Sequence, residues 1–245
     1  SILLPHNNVV MCTNNWIDLQ KQVMDSIEWR HEVHIRNIAS TYGAFQQNAI
    51  ELVKKLIWFE KSDEAISLMA IGNEDKMYAF WHDLRRLTSN YLSSISPLIE
   101  QTRALVKEFT SCGYAIQDYQ KNVEKFRTDP ILQFVQDLRN YTQHVVGIPL
   151  GSQLKYDIET GSHWFICLPL EELRGAYKWN PLAKQYLESQ QDDPPLVQPI
   201  LYYTQETEKL YRWLFPKIDE TRTKEIEYLK KMNKEIQDGL KTNSG

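Results

Sequence analysis

Between Glu74 and Phe109 the side chains Met77, Phe80, Trp81, Leu84, Leu87, Tyr91, Ile95, Leu98, Leu105 and Phe109, with Thr102 in register, recur every three or four residues. That period marks one face of a helix, here sustained for about nine turns. A helix this long cannot bury its apolar stripe alone, so other helices must lie along it. Pro97 falls inside the run. It removes a backbone donor and crowds the preceding turn, so a kink or a break is expected there. Ser111-Cys112-Gly113 closes the run.

The flanking segments carry the same period. Residues 14–40 (Trp16, Leu19, Val23, Ile27) and 44–61 (Ile50, Val53, Leu56, Ile57) read as two helices parted near Tyr42-Gly43, with 61–75 as a connector. A helix over 114–126 follows. Asp129-Pro130 then announces the next one, since Asp caps well and Pro suits the first helical position; it runs over 130–146 and stops before Gly147. Leu154, Tyr156 and Ile158 alternate with polar residues, and Thr160-Gly161 turns the chain toward Trp164-Phe165-Ile166-Cys167-Leu168. That pattern predicts a β-hairpin over 153–169. A short helix near 181–189, a loop at 190–195 and a long helix from about 198, interrupted at Pro216, complete the chain. The expected fold class is mainly α with one small hairpin.

Composition removes several classes. The chain has 28 basic and 32 acidic residues and a net charge of −4 at pH 7, so no global basic field draws in nucleic acid and any polynucleotide contact must be local. No apolar run reaches the ~18 residues of a membrane span. Cys12, Cys112 and Cys167 are odd in number and far apart, which suits a reducing compartment. Ile2-Leu3-Leu4 has neither a basic flank nor an h-region, so no signal peptide is expected and the cytoplasm is the expected location.

Common catalytic signatures are missing: no Gly-rich phosphate loop, no Walker lysine and no paired-cysteine zinc spacing. His31 and His34, at i and i+3 within Glu28-Trp29-Arg30-His31-Glu32-Val33-His34, could share a metal ion. Their spacing departs from the zincin pattern, and a half-buried helix face accounts for them better; no metal is expected. The helix after Pro130 carries more chemistry. Stepping ~100° per residue from Arg139 puts Gln143, Gln136, Asn140, Gln133, His144 and Asp137 in one polar sector, opposite Phe134, Val145, Leu138, Ile131, Val135 and Val146. Asn140 and His144 are i,i+4 neighbours, so the amide can orient the imidazole. Without further chemistry the same sector is an ordinary solvated face.

The stretch Phe134-Val135-Gln136-Asp137-Leu138-Arg139-Asn140-Tyr141-Thr142-Gln143-His144 resembles the signature of the HEPN superfamily (higher eukaryotes and prokaryotes nucleotide-binding domains): an Arg, a polar residue that is often Asn, and a His a few residues on. The resemblance covers about 75–240. It implies an up-and-down bundle over 74–240, with the hairpin as an insertion, residues 1–73 as an added N-terminal helical layer and 241–245 as a tail. It further implies a metal-independent, cofactor-free endoribonuclease of toxin–antitoxin or antiphage type, its cleft formed between two protomers. Arg139, Asn140 and His144 would be catalytic, and Gln143 and Gln136 would contact the RNA. An antitoxin or other defence-system protein is the implied protein partner. The Gln- and Asn-rich sector is expected to face the two-fold axis of a homodimer. The alternative is a non-catalytic member of the same fold that binds RNA or protein.

Overall fold

The computed structural model describes residues 15–68, 70, 72–144, 147–157 and 161–242. The Ile2-Leu3-Leu4 stretch, Cys12, Val145, Val146, Ile158, Thr160 and the last three residues lie outside them. The helices are α1 (Asn15–Met24), α2 (Ile27–Lys61), α3 (Asp63–Leu68), α4 (Glu74–Ser111), α5 (Tyr119–Thr128) and α6 (Pro130–His144). Strands β1 (Gly151–Asp157) and β2 (Gly161–Cys167) follow, then α7 (Leu170–Ala176), α8 (Pro181–Ser189), α9 (Val197–Thr221) and α10 (Thr223–Thr242). The fold is mainly α with one small antiparallel hairpin, Gly151 opposite Cys167 and Asp157 opposite Gly161.

Helix α4 is the spine. Of its expected stripe, Phe80, Leu84, Leu87, Tyr91, Ile95, Leu98, Thr102, Leu105 and Phe109 are all buried. It passes through Pro97 without ending, and α9 likewise passes through Pro216. Both prolines are exposed, as are Ser93 and Arg212 four residues before them. The carbonyl that each proline leaves without a donor therefore lies on the solvent side, where water can satisfy it. At its C-terminus α4 is closed by Gly113 at φ +83, with the Tyr114 amide donating to the Phe109 carbonyl at 2.9 Å. A left-handed glycine with such a back-bond is a common helix stop.

Helix α2 differs from the sequence expectation. It runs unbroken through Tyr42-Gly43, and the break falls earlier, at Asp25-Ser26, where the Ser26 side chain caps α2 by accepting from the Trp29 amide. A mid-helix glycine costs about 1 kcal/mol. The burial of Phe45, Ala49, Leu52, Leu56 and Phe59 beyond it outweighs that, at about 1.5–3 kcal/mol for each large apolar side chain. The fully buried side chains of α2 and α4 belong to one core cluster, which thus draws on both sides of residue 73. Helix α1 packs on α10, so closely that a Cβ on Gly239 would come within 3.0 Å of the Trp16 Cβ.

Helix α6 begins as the sequence predicts: Asp129 Oδ1 accepts from the amides of Ile131 and Leu132 at 2.9 and 3.1 Å. It is the central helix of the second half, in contact with α4, α5, α8 and α9. Leu132, Phe134, Val135 and Leu138 are buried, and Tyr141 stacks on Trp179 with ring centroids 5.4 Å apart.

Candidate functional site

Burial on three sides leaves α6 a narrow polar edge, and a chain of hydrogen bonds organises it. Asp137 is almost wholly buried, and its Oδ2 accepts from the Asn180 amide at 2.7 Å. Its Oδ1 accepts from Asn140 Nδ2 at 3.3 Å and from the Tyr177 hydroxyl at 3.4 Å. The other end of the Asn140 amide, Oδ1, accepts from Arg139 Nη1 at 2.9 Å. The loop ahead of α8 thus fixes Asp137, Asp137 fixes Asn140, and Asn140 fixes the Arg139 guanidinium. Arg139 Nε is buried with no hydrogen-bond partner, and among the described residues no carboxylate pairs with the side chain. Nε is closed to solvent, so an oxyanion that approaches the partly exposed side chain meets its terminal nitrogens.

Of the residues expected at the site, Arg139 and Asn140 meet directly. Gln143 is exposed at the same end of α6. His144 is the last residue of the helix, and its side chain lies outside the described residues. Gln136 departs from the expectation that it sits with them. It lines a cavity walled by α4, α5 and α9, as Tyr203 does. The reason is geometric: nearer the N-terminus of α6 the polar sector meets helices of its own chain, and only its C-terminal part reaches the surface.

Sequence reasoning missed two features. Asp137 received no role, because its partners come from a loop about forty residues further on. The other is a basic cleft of about 330 Å³, where His82, Arg85, Arg86 and Ser89 of α4 meet Thr142, Gly147 and Ile148. Thr142 belongs to the same turn as Arg139 and donates to its carbonyl at 2.8 Å. The i, i+3, i+4 spacing of His82, Arg85 and Arg86 was the available signal. Arg86 bonds Asp83 at 2.7 Å, whereas Arg85 lies over the Trp81 ring at 5.9 Å.

The two N-terminal histidines serve a different cluster. His31 is fully buried; its Nδ1 donates to Glu225 at 2.9 Å, and its Nε2 lies 3.8 Å from Glu108 and 3.9 Å from Cys112 Sγ. His34 donates to Glu108 at 2.7 Å. Beside them Arg222 pairs with Glu32. This network joins α2, α4 and α10. Among the described residues no group of three or more His, Cys, Asp and Glu could hold a metal ion, and no helix is long and apolar enough to cross a membrane. No protein-family profile, curated protein or solved structure matches this chain.

Proposed function

We propose that this chain is a metal-independent endoribonuclease of the HEPN kind, with Arg139, Asn140 and His144 as its catalytic residues. The observation that carries this reading is the Arg139 guanidinium, clamped by Asn140, backed by the buried Asp137 and without a carboxylate partner among the described residues. A guanidinium held in place before substrate arrives is a preorganised receptor for the scissile phosphate and for the charge that grows on it in the transition state. His144, five residues on, takes the proton of the ribose 2′-OH or returns one to the leaving 5′-oxygen. A second protomer, paired across the same end of α6, supplies the complementary acid or base. His82, Arg85 and Arg86 hold flanking phosphates, and Gln143 contacts the RNA. Gln136 is left out of the mechanism, because it lines a separate cavity that Arg139 does not reach. Service as a toxin or antiphage effector in the cytoplasm, restrained by an antitoxin or defence-system protein, belongs to the same proposal.

The test incubates wild type, Arg139→Ala and His144→Ala with total RNA in EDTA. Wild type is expected to leave 2′,3′-cyclic phosphate ends, and each variant to lose at least ~100-fold in rate while melting like wild type. Activity that dies in chelator, or survives in both variants, removes the mechanism. RNA that is bound in a salt-sensitive way but never cut leaves the non-catalytic RNA-binding module in its place.

A further inference from the structure

A cavity of about 550 Å³ lies between α4, α5, α6 and α9 and is unconnected with the chemistry of Arg139. Its size falls in the range of small-molecule sites. Its walls include Ile95, Leu98 and Val106 of α4, Val123 and Phe126 of α5, and Leu210 of α9. Water fits such walls poorly, since each molecule needs two to four polar partners.

The polar groups that do reach the cavity are largely engaged with one another. Thr102 bonds the Tyr211 hydroxyl at 2.6 Å and the Leu98 carbonyl at 2.8 Å; Gln133 donates to the Phe126 carbonyl, and Thr110 to the Val106 carbonyl. A nucleobase or a sugar, which would need several such groups for its own edges, finds most of them taken, the Thr207 hydroxyl being one that is not. Hydrocarbon makes no such demand.

The mouth is different. Arg103 and Lys107, one turn apart on α4, and Arg127 of α5 line it and are exposed, while no Asp or Glu lines the cavity at all. In a chain with 32 acidic and 28 basic residues this is a local reversal of charge. Arg127 is partly engaged, by Gln120 at 2.9 Å and Glu124 at 3.6 Å. Arg103 and Lys107 have no carboxylate partner among the described residues. Burial raises the Tyr119 phenol, which also lines the cavity, and the charges of Arg103 and Arg127 both pull against that rise.

We propose that this cavity binds a single-chain amphiphile with an anionic head, its hydrocarbon body between α4, α5 and α9 and its head held by Arg103 and Lys107. A carboxylate or a phosphate monoester head satisfies the same pair of cations. The body contributes through burial of apolar surface, and the head fixes which end enters last.

Calorimetric titration of the full chain with decanoate, decyl phosphate, decanol and adenosine monophosphate, all below micelle-forming concentration, tests this. Decanoate or decyl phosphate is expected to bind one per chain, and comparing the two heads tells carboxylate from phosphate. Arg103→Gln with Lys107→Gln should weaken the anion by about tenfold, the loss expected for charge-assisted hydrogen bonds, and leave decanol unchanged. Val123→Trp should fill the cavity and abolish binding of every amphiphile, with an unaltered far-ultraviolet spectrum showing that it folds. The proposal is overturned if neither anion binds, if adenosine monophosphate binds in their place, or if both variants bind decanoate as wild type does.

Discussion

His31 and Glu225 stand 194 residues apart in the chain and 2.9 Å apart in the fold, both out of contact with solvent. Their bond clasps α2 to α10, and the ring of Phe109, centred 4.7 Å from that of His31, seals it from the α4 side. An imidazole and a carboxylate buried together serve each other; either one alone is a desolvated polar group without compensation.

His31→Ala is therefore expected to lower stability by about 3–5 kcal/mol, the usual cost of stranding one member of a buried pair. Replacing both residues by Leu should recover most of that loss. Urea midpoints for His31→Leu, Glu225→Leu and the double variant measure the coupling. Strict additivity of the singles would mean that the two side chains do not support each other.

Asp137→Ala removes the acceptor for the Asn180 amide, the Asn140 amide and the Tyr177 hydroxyl at once. About 2 kcal/mol of stability is expected to go with it, as for buried hydrogen bonds to a charged acceptor. Asp137→Asn keeps one acceptor oxygen and should recover part of that loss. If RNA cleavage is observed, kcat should fall in Asp137→Ala with KM little changed, because Arg139 loses the support relayed through Asn140 without losing its charge.

Three carboxylates paired with cations sit below their ordinary range. Arg86 and then Lys55 lower Asp83, whose ordinary value is 3.8. Burial pushes Glu32 and Glu206 up from 4.5, but Arg222 and Arg36 at Glu32, and Lys209 and Lys125 at Glu206, prevail and hold both below it. Groups depressed on folding stabilise fully above their unfolded values and lose that contribution as pH falls through the folded ones. Thermal melting should thus drop as pH falls below about 4.5, and Glu32→Gln should show a shallower drop than wild type between about pH 4.5 and pH 3. An equal slope in both proteins would show that Glu32 gains nothing from Arg222.

Cys112 is exposed and Cys167 is buried. Burial, and then the charge of Asp193, push the Cys167 thiol up to about 11. In a Cys12→Ser variant at about pH 8, iodoacetamide should modify Cys112 in the native protein and Cys167 only after denaturation, since the thiolate is the reacting form. Mass spectrometry of the digest reads the two sites separately.

Thr207 has a buried hydroxyl with no hydrogen-bond partner. Thr207→Val keeps the shape and deletes the polar group, so it should raise stability by about 1 kcal/mol. A lowered melting temperature would reveal that the hydroxyl is satisfied after all.

The stripe on α4 and the cap at Asp129 were legible because both are local: a period along one helix, and a side chain two or three residues from the amides it serves. The extra break expected at Tyr42-Gly43 shows the limit of local reasoning. Propensity argued for an end there, and the burial of Phe45 against Tyr91 and Tyr203 carried the helix through. Ser26, a good capping residue in plain view, marked the true boundary. At the site, Arg139 and Asn140 could be paired from their positions on one helix. The support from Asn180 and Tyr177 could not, and neither could the cavity at Gln136, because each needs to be told which distant segments pack against α6.

The packing of α1 and His31 against α10 also sets an order of events during synthesis. A ribosome delivers the chain from its N-terminus, so α1 and the start of α2 emerge about 200 residues before the helix that covers them. At ~5–20 residues per second, that interval is on the order of ten to forty seconds. Through it, Trp16, Val23 and the unpaired His31 wait uncovered, a natural target for a holding chaperone. Ribosomes that stall before Glu225 release products with the clasp open, and these should be prey for proteases. Translation past Glu225 is in this way a condition for closing the clasp.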